Sequence, residues 1–286
     1  MRSRKLVSPG PKFMGVFMKQ NYRFKVAYDG TRYLGWEKQP GQEMTIQGKI
    51  ETVLLRMVNP EEPEEAEAKG ANQHKQPGKS RQPVELIGAG RTDAGVHAKG
   101  QVCNAYLDTD MTTDEIKGYM NQYLPEDIAV LEVKEAADRF HSRYRATGKT
   151  YCYTCYVGDS KPLFNRKYCW VLDKMPNVER MKKAAEYLVG EHDFASFCGN
   201  PRMKKSTVRL VDSIEIAVKN GYLTLTFHGT GFLQYMVRIL TGTLLEVGWG
   251  MREPESMEAL LEAKDRKQAG LTAPPQGLCM IKVDYN

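Results

Sequence analysis

The chain has 286 residues, 41% of them hydrophobic, which is enough for one large or two ordinary domains; Lys+Arg 41 against Asp+Glu 35 gives a net charge of +6. This mild basic excess is compatible with a nucleic-acid partner and raises that reading only modestly. Six cysteines in so long a chain do not make a disulfide framework, the apolar run Phe13 to Met18 is too short for a secretory segment, and no stretch approaches the ~20 apolar residues of a membrane span, so the expectation is a soluble, reduced, cytoplasmic protein with no membrane partner.

Residues 1–20 carry Arg2, Arg4, Lys5, Lys12 and Lys19 around Pro9-Gly10-Pro11 without a sustained period. They read as a disordered basic tail, or equally as sequence upstream of a start at Met18. Tyr22, Phe24, Val26 and Tyr28 then alternate with polar residues, the period of a strand, and Asp29-Gly30 turns the chain. Ile46, Ile50, Val53, Leu54 and Met57 recur at helical spacing behind Thr45, a capping residue. Residues 60–83 hold no aliphatic side chain larger than alanine and no aromatic, so they read as a flexible insertion. Strands are expected over Val84 to Ile87 and Val102 to Leu107. Thr112 with Glu115 forms a capping box for a helix through Tyr123, stopped by Pro125, and Ile128 to Val133 is a further strand.

The order then recurs. Thr150 to Val157 reads as a strand, Tyr168 to Leu172 as an accessory one, and Met181, Ala184, Ala185 and Leu188 as a helix capped by Asn177 and ended by Gly190. Val208 to Val218 and Tyr222 to Phe227 form a hairpin around Asn220-Gly221. Phe232 to Val247 is amphipathic, Pro254 opens another helix, and Leu278 to Tyr285 is the last strand. Stripped of extras, residues 21–145 and 146–286 each read β-α-β-β-α-β, the split ferredoxin-like unit. The fold class expected is α/β (α+β): two similar halves with their strands in a largely antiparallel sheet, helices behind and a cleft in front.

The densest chemical signal is Gly88-Ala89-Gly90-Arg91-Thr92-Asp93-Ala94-Gly95-Val96-His97. A dinucleotide loop would need its third glycine at Asp93, where a carboxylate repels a pyrophosphate. Two readings remain from local chemistry: a Gly-rich turn with a structural Asp, or glycines that bend the backbone to present Arg91 and Asp93 in a cleft. Gln234, Arg238 and Thr241 share the polar side of the Phe232–Val247 helix, which fits a charge projected into that cleft. Arg139, His141, Arg143 and Arg145 alternate, so in an extended chain all four would face one way, toward phosphates or as a solvated edge. Arg202, Lys204, Lys205 and Arg209 form a second basic segment. Cys152-x-x-Cys155 lies on a strand whose alternate residues point apart, so no metal is expected, and His97 reads as structural.

Gly90-Arg91-Thr92-Asp93-Ala94-Gly95-Val96-His97 resembles the active-site signature of the tRNA pseudouridine synthase A family. Matches continue in order: Tyr28-Asp29-Gly30 with Gly35-Trp36, Leu124-Pro125 with Asp127-Ile128-Ala129, Phe140-His141 with Arg143, Asp193-Phe194 with Ser196-Phe197, Met236-Val237-Arg238, Glu246-Val247-Gly248 and Ala263-Lys264-Asp265-Arg266. The resemblance runs over roughly residues 21–286. It departs in the insertion at 60–83 and at Thr230, where the family often carries Asn; both leave the choice of RNA site open.

The resemblance implies two pseudo-symmetric halves that form a basic RNA-binding cleft, in a homodimer without cofactor that isomerises uridine to pseudouridine in the anticodon stem-loop of tRNA, at nucleotide positions 38–40. Ribosomal RNA as target, or a non-catalytic RNA-binding relative, stands as the alternative. It implies Asp93 as catalytic carboxylate, Arg238 as its cation, and Tyr151 as a ring on uracil whose hydroxyl serves the C5 proton. It further implies Leu278 as an apolar floor beneath the base and Arg91 as the side chain that enters the space a flipped base leaves. Arg143, Arg145 and Lys149 complete the expected RNA contacts.

Overall fold

The computed structural model describes residues 19–60, 82–200 and 202–286. The expected basic tail and most of the 60–83 insertion lie outside them. Strand β1 (Gln20–Tyr28) buries Tyr22, Phe24, Val26 and Tyr28, as their alternation requires. Helix α1 (Ile46–Val58) begins where the Thr45 hydroxyl accepts the Gly48 N–H, and it turns Ile46, Ile50 and Leu54 fully inward. Each such side chain contributes about 1.5–3 kcal/mol by leaving water.

Beyond α1 come β2 (Ile87–Gly88), β3 (His97–Leu107), α2 (Thr113–Tyr123), with the Thr112–Glu115 capping box formed, and β4 (Ile128–Ala136). The second half follows with β5 (Ala146–Tyr156), β6 (Trp170–Val171), α3 (Val178–Glu186), β7 (Gly190–Asp193), β8 (Val208–Lys219) and β9 (Tyr222–Gly229). Asn220 and Gly221 turn the β8–β9 hairpin at φ 52° and 79°, the geometry that an Asn-Gly pair favours. Helices α4 (Met236–Gly248) and α5 (Ser256–Ala263) lead to β10 (Leu278–Tyr285).

The strands form one 10-stranded sheet in the order β4-β1-β3-β10-β5-β9-β8-β7, with β2 on β3 and β6 on β5. Pairing is antiparallel except at β3–β10 and β5–β6. Over residues 21–145 the order is β4-β1-β3-β2, and over 146–286 it is β10-β5-β9-β8-β7; with the short β6 and β7 set aside, the strand ranks run alike in both. The halves meet where Cys279 and Met280 pair with His97 and Ala98. One contiguous apolar cluster runs from Phe24 and Leu54 to Phe227 and Leu244.

Four expectations need correction. The strand foreseen from Val84 shrinks to Ile87–Gly88, because the Leu86 N–H is taken by the Glu51 carboxylate of α1 at 3.1 Å instead of a sheet partner. Helix α3 ends at Glu186, and Gly190 opens β7 at φ 118°. Helix α4 starts at Met236, after Tyr235 enters the left-handed region at φ 60°; Gln234 lies outside it and exposed. Thr241 is buried, its hydroxyl donating to the Val237 carbonyl, so α4 is apolar nearly all round and Arg238 alone of that trio faces the site.

The fourth concerns the basic strip. Residues 138–145 are turns, not an extended strand: the Arg145 N–H bonds the His141 carbonyl at 3.0 Å, and buried Ser142 donates its hydroxyl to Asn104 at 2.8 Å. Alternate side chains therefore do not share a face.

Two glycines fit the loop after β1 against the signature. A Cβ on Gly30 would stand 2.0 Å from the Val96 carbonyl oxygen, and one on Gly35, at φ 103°, 2.6 Å from that of Thr92. Gly30→Ala is expected to lower stability by about 1–3 kcal/mol, as overpacking against backbone does. Thermal denaturation checks this; an unchanged melting temperature would show that the loop gives way freely.

Candidate active site

The signature leaves β2 at Gly88 and re-enters the sheet at His97. Between them the backbone is strapped from several sides. Gln101 on β3 donates to the Gly90 carbonyl at 2.7 Å, and Lys149 on β5 donates to that of Ala89 at 2.8 Å. Tyr28 on β1 shares a hydrogen bond with the Thr92 hydroxyl at 2.8 Å, and the Trp36 N–H donates to the Thr92 carbonyl at 3.0 Å. A turn closes between the Val96 N–H and the Asp93 carbonyl, with Gly95 at φ 78°. A loop held this way presents its side chains without first having to order itself.

Asp93 projects from this loop to Arg238, with Nη1 3.3 Å from Oδ2. The two come from opposite halves of the chain and are mostly buried, with Arg238 13% and Asp93 24% exposed. Burial raises the Asp93 carboxyl above its ordinary value, and the Arg238 charge and hydrogen bond pull it back. Arg238 is itself fixed: Nε donates to the Ala273 carbonyl at 2.7 Å, and its guanidinium lies 5.0 Å from the Tyr235 ring centroid. The left-handed turn at Tyr235 thus serves the site by setting a ring beside the arginine.

Tyr151 lies on β5 facing the same loop. It is buried, its hydroxyl 3.5 Å from where a Cβ on Gly90 would sit, and burial holds its phenol protonated far above the usual range. Phe232 meets its ring edge-on, centroids 5.3 Å apart at 84°. Leu278, buried at the start of β10, pairs with Tyr153, and Met280 pairs with Tyr151. The Met280 methyl group comes within 3.1 Å of the Gly90 Cβ position. The site is therefore a carboxylate and a guanidinium near a group of apolar and aromatic side chains: Tyr151, Phe232, Leu278 and Met280.

Other expected residues stand at its margin. Arg91 points away from Asp93's partner and pairs with Glu37 at 2.6 Å, both side chains about half exposed. Arg143 and Arg145 are exposed on their turn. Lys149 is not free: besides its bond to Ala89 it is largely buried, and burial, with Arg143 and Arg209 nearby, pushes its ammonium down to about 8. As a depressed base it opposes folding below that value, and the cost fades as pH rises from about 8 toward its ordinary range. His97 accepts the Gly30 N–H on Nδ1 at 3.0 Å and faces the Lys167 carbonyl with Nε2 at 3.0 Å. Burial lowers its pKa, so it is a neutral tie between loops. Among the described residues no cluster of three or more His, Cys, Asp or Glu could hold a metal.

Phe232, Met280, Gln101 and Glu37 were not anticipated as parts of the site. In sequence Phe232 fits the helical stripe that runs to Val247, and Met280 and Gln101 look like ordinary strand residues. Only Glu37, next to Gly35-Trp36, sat beside a recognised motif.

The geometry yields one expectation for Arg238. Arg238→Ala should reduce turnover by on the order of 10²–10³, the scale seen when one charge-stabilising donor is lost. It should also move the acid limb of the pH–rate profile upward, because the carboxylate whose pKa burial raises loses the cation that lowers it. Arg238→Lys should recover little, since one ammonium cannot reproduce both the Nε–Ala273 and Nη1–Asp93 bonds. An unmoved acid limb in the alanine variant would dissociate Arg238 from Asp93's ionisation.

Comparison with known proteins gives consistent matches. The sequence model of the tRNA pseudouridine synthase family matches residues 25–145 and 184–286. The chain is 45% identical over 265 residues to tRNA pseudouridine synthase A of Bacillus sp. (strain KSM-64), covering 93% of this chain and 99% of that protein. It is 37% identical over 266 residues to tRNA pseudouridine synthase A 2 of Clostridium perfringens (strain 13 / Type A), covering 93% and 100%. Among solved structures, a Cbf5-Nop10-Gar1 complex aligns with TM-score 0.32 at 12% identity over 91% of this chain and 49% of that one, too slight a likeness to argue from.

Proposed function

The chain belongs to the tRNA pseudouridine synthase family, and we propose that it converts uridine to pseudouridine with Asp93 as the catalytic carboxylate. It is an isomerase of uridine in tRNA; the ribosomal-RNA and binding-only alternatives are not favoured, because the relatives that match it end to end are tRNA pseudouridine synthases. The observation that carries the assignment is the Asp93–Arg238 pair, a mostly buried carboxylate beside a fixed guanidinium.

The reaction breaks the N1–C1′ bond, rotates the uracil and joins C5 to C1′; C5 loses a proton and N1 ends with one. Atoms balance without a redox partner. In this reading Asp93 is the group that attacks the nucleoside or takes its proton, and Arg238 keeps it ionised. Tyr151 stacks on the uracil, and its phenol, which burial keeps protonated at rest, receives the C5 proton as its own O–H proton passes on to N1, so that it ends as it began. Leu278 forms the apolar floor. A stacked uridine cannot reach a recessed carboxylate, so the nucleotide flips at a cost of a few kcal/mol. Arg91, exposed on the same loop, fills the vacated stack, which requires it to leave Glu37.

Arg143 and Arg145 meet phosphates from their turn, and Lys149 acts behind them, since its ammonium is committed to the Ala89 carbonyl. The proposal includes the anticodon stem-loop as target region, a cleft between residues 21–145 and 146–286, a homodimer and a cytoplasmic location. The repeated strand order supports the two-half reading, and the family supports tRNA as the target. Among the described residues no helix is long and apolar enough to cross a membrane.

Asp93→Asn should bind tRNA as tightly as the parent and release no tritium from tRNA labelled at uridine C5. Release at the parent rate would remove Asp93 from catalysis. Replacing Arg143 and Arg145 together by Ala should weaken tRNA binding and flatten its salt dependence, each lost phosphate contact taking roughly 0.7–0.9 from the log–log slope. An unchanged slope would return these arginines to plain surface residues.

A further inference from the structure

Beside the catalytic loop, on the side that Arg91 faces, the surface sinks into a cavity of about 250 Å³ bordered by Trp36, Glu37, Glu85, Arg91, Arg143 and Tyr144. Its walls are chemically divided. Tyr144 is 77% exposed and lies against His141, centroids 4.3 Å apart at 33°, so one face of its ring is backed and the other open. Arg143, with the Lys149 ammonium and Arg209 near it, supplies positive charge that no carboxylate within salt-bridge distance offsets among the described residues. Glu37 and Glu85 contribute carboxylates, and Glu37 is occupied only by exposed Arg91.

We propose that this cavity is a second nucleotide subsite, taking a base other than the target uridine from the same RNA. The reasons are those of the walls. A backed, solvent-facing tyrosine is a stacking platform for any base. An arginine beside it suits the attached phosphate. Two carboxylates offer only acceptors, so they favour a base edge with amino or adjacent imino N–H groups, as on guanine, adenine or cytosine, over the carbonyl-rich edge of uracil. The cavity therefore selects against the base that the Asp93 pocket receives. Gly90 borders both spaces, lying near Tyr151 and Lys149 on one side and lining the cavity on the other. A nucleotide seated here would fix the strand next to the reacting one.

The Glu37–Arg91 pair gives the subsite a built-in exchange. While Arg91 holds Glu37, the carboxylate is masked; a base that donates to Glu37 releases Arg91 toward the RNA stack. This exchange rests on the role proposed for Arg91, whereas the subsite itself does not.

The test uses the full chain with GMP, AMP, CMP and UMP as probes, measured by ligand-observed saturation-transfer NMR, together with steady-state turnover of tRNA. Tyr144→Ala should weaken the amino-bearing nucleotides by about 5-fold or more, the lower end of a base-stacking loss, and should weaken UMP, which the Asp93 pocket receives, far less. Glu37→Gln with Glu85→Gln should erase the preference over UMP while retaining most of the affinity. For tRNA, Tyr144→Ala should raise KM more than it lowers kcat. UMP binding that Tyr144→Ala weakens as much as it weakens the others, or a Tyr144→Ala variant that leaves both nucleotide affinity and KM untouched, would overturn the proposal. Asp93→Asn separates the two readings: it should abolish turnover and leave nucleotide binding at Tyr144 intact, so a failure of the catalytic assignment would show in the first measurement alone.

Discussion

The structure turns on keeping one carboxylate ionised where water is scarce. Burial makes Asp93 hold its proton more tightly, and among the described residues the cation that opposes this is Arg238, 145 residues away in sequence. Neither side chain could reach the other from a loose segment. Arg238 depends on the Ala273 carbonyl and on the left-handed turn that puts Tyr235 beside it. Asp93 depends on a loop tied to three strands by Tyr28, Gln101 and Lys149. Much of the sheet between them exists, in effect, to hold two charged groups 3.3 Å apart.

The seam that makes this possible is narrow. Strand β3 is long enough to carry two partners on one edge: β2 pairs opposite Asn104 and Cys103, and β10 opposite His97 and Ala98. The Glu51 carboxylate, buried under α1 and accepting from Lys38, Gln47 and Leu86, holds the chain off the sheet before Ile87, so β2 covers only the part of that edge opposite Cys103 and Asn104.

Most elements were legible because they are written in local patterns. The alternation of Tyr22 to Tyr28, the Thr112–Glu115 box and the Asn220-Gly221 turn depend on residues close in sequence, and each appeared as expected. Expectations failed where a distant partner outbid the local pattern. Arg139 to Arg145 alternate like a strand, yet Asn104 captures Ser142 and turns the segment. Phe232 to Tyr235 fit a helical stripe, but the site needs them as a loop that brings Phe232 to Tyr151. The signature containing Asp93 stood out in sequence because glycines, arginine and aspartate together are chemically unusual. Met280 and Gln101 did not, since nothing about a methionine or glutamine on a strand announces what it will touch.

The position of β10 also has a bearing on biosynthesis. This strand lies in the middle of the sheet, although it follows every other element in the chain. Until residues 278–285 have left the ribosome, β3 and β5 both present open edges, and the contacts that unite the halves are long-range ones that form late. A nascent chain can complete the hairpins of each half on its own, but it cannot close the seam beside His97. Competence to act on RNA thus arrives in a single late event, and a partly made chain is an exposed sheet edge with no chemistry, a natural client for chaperones.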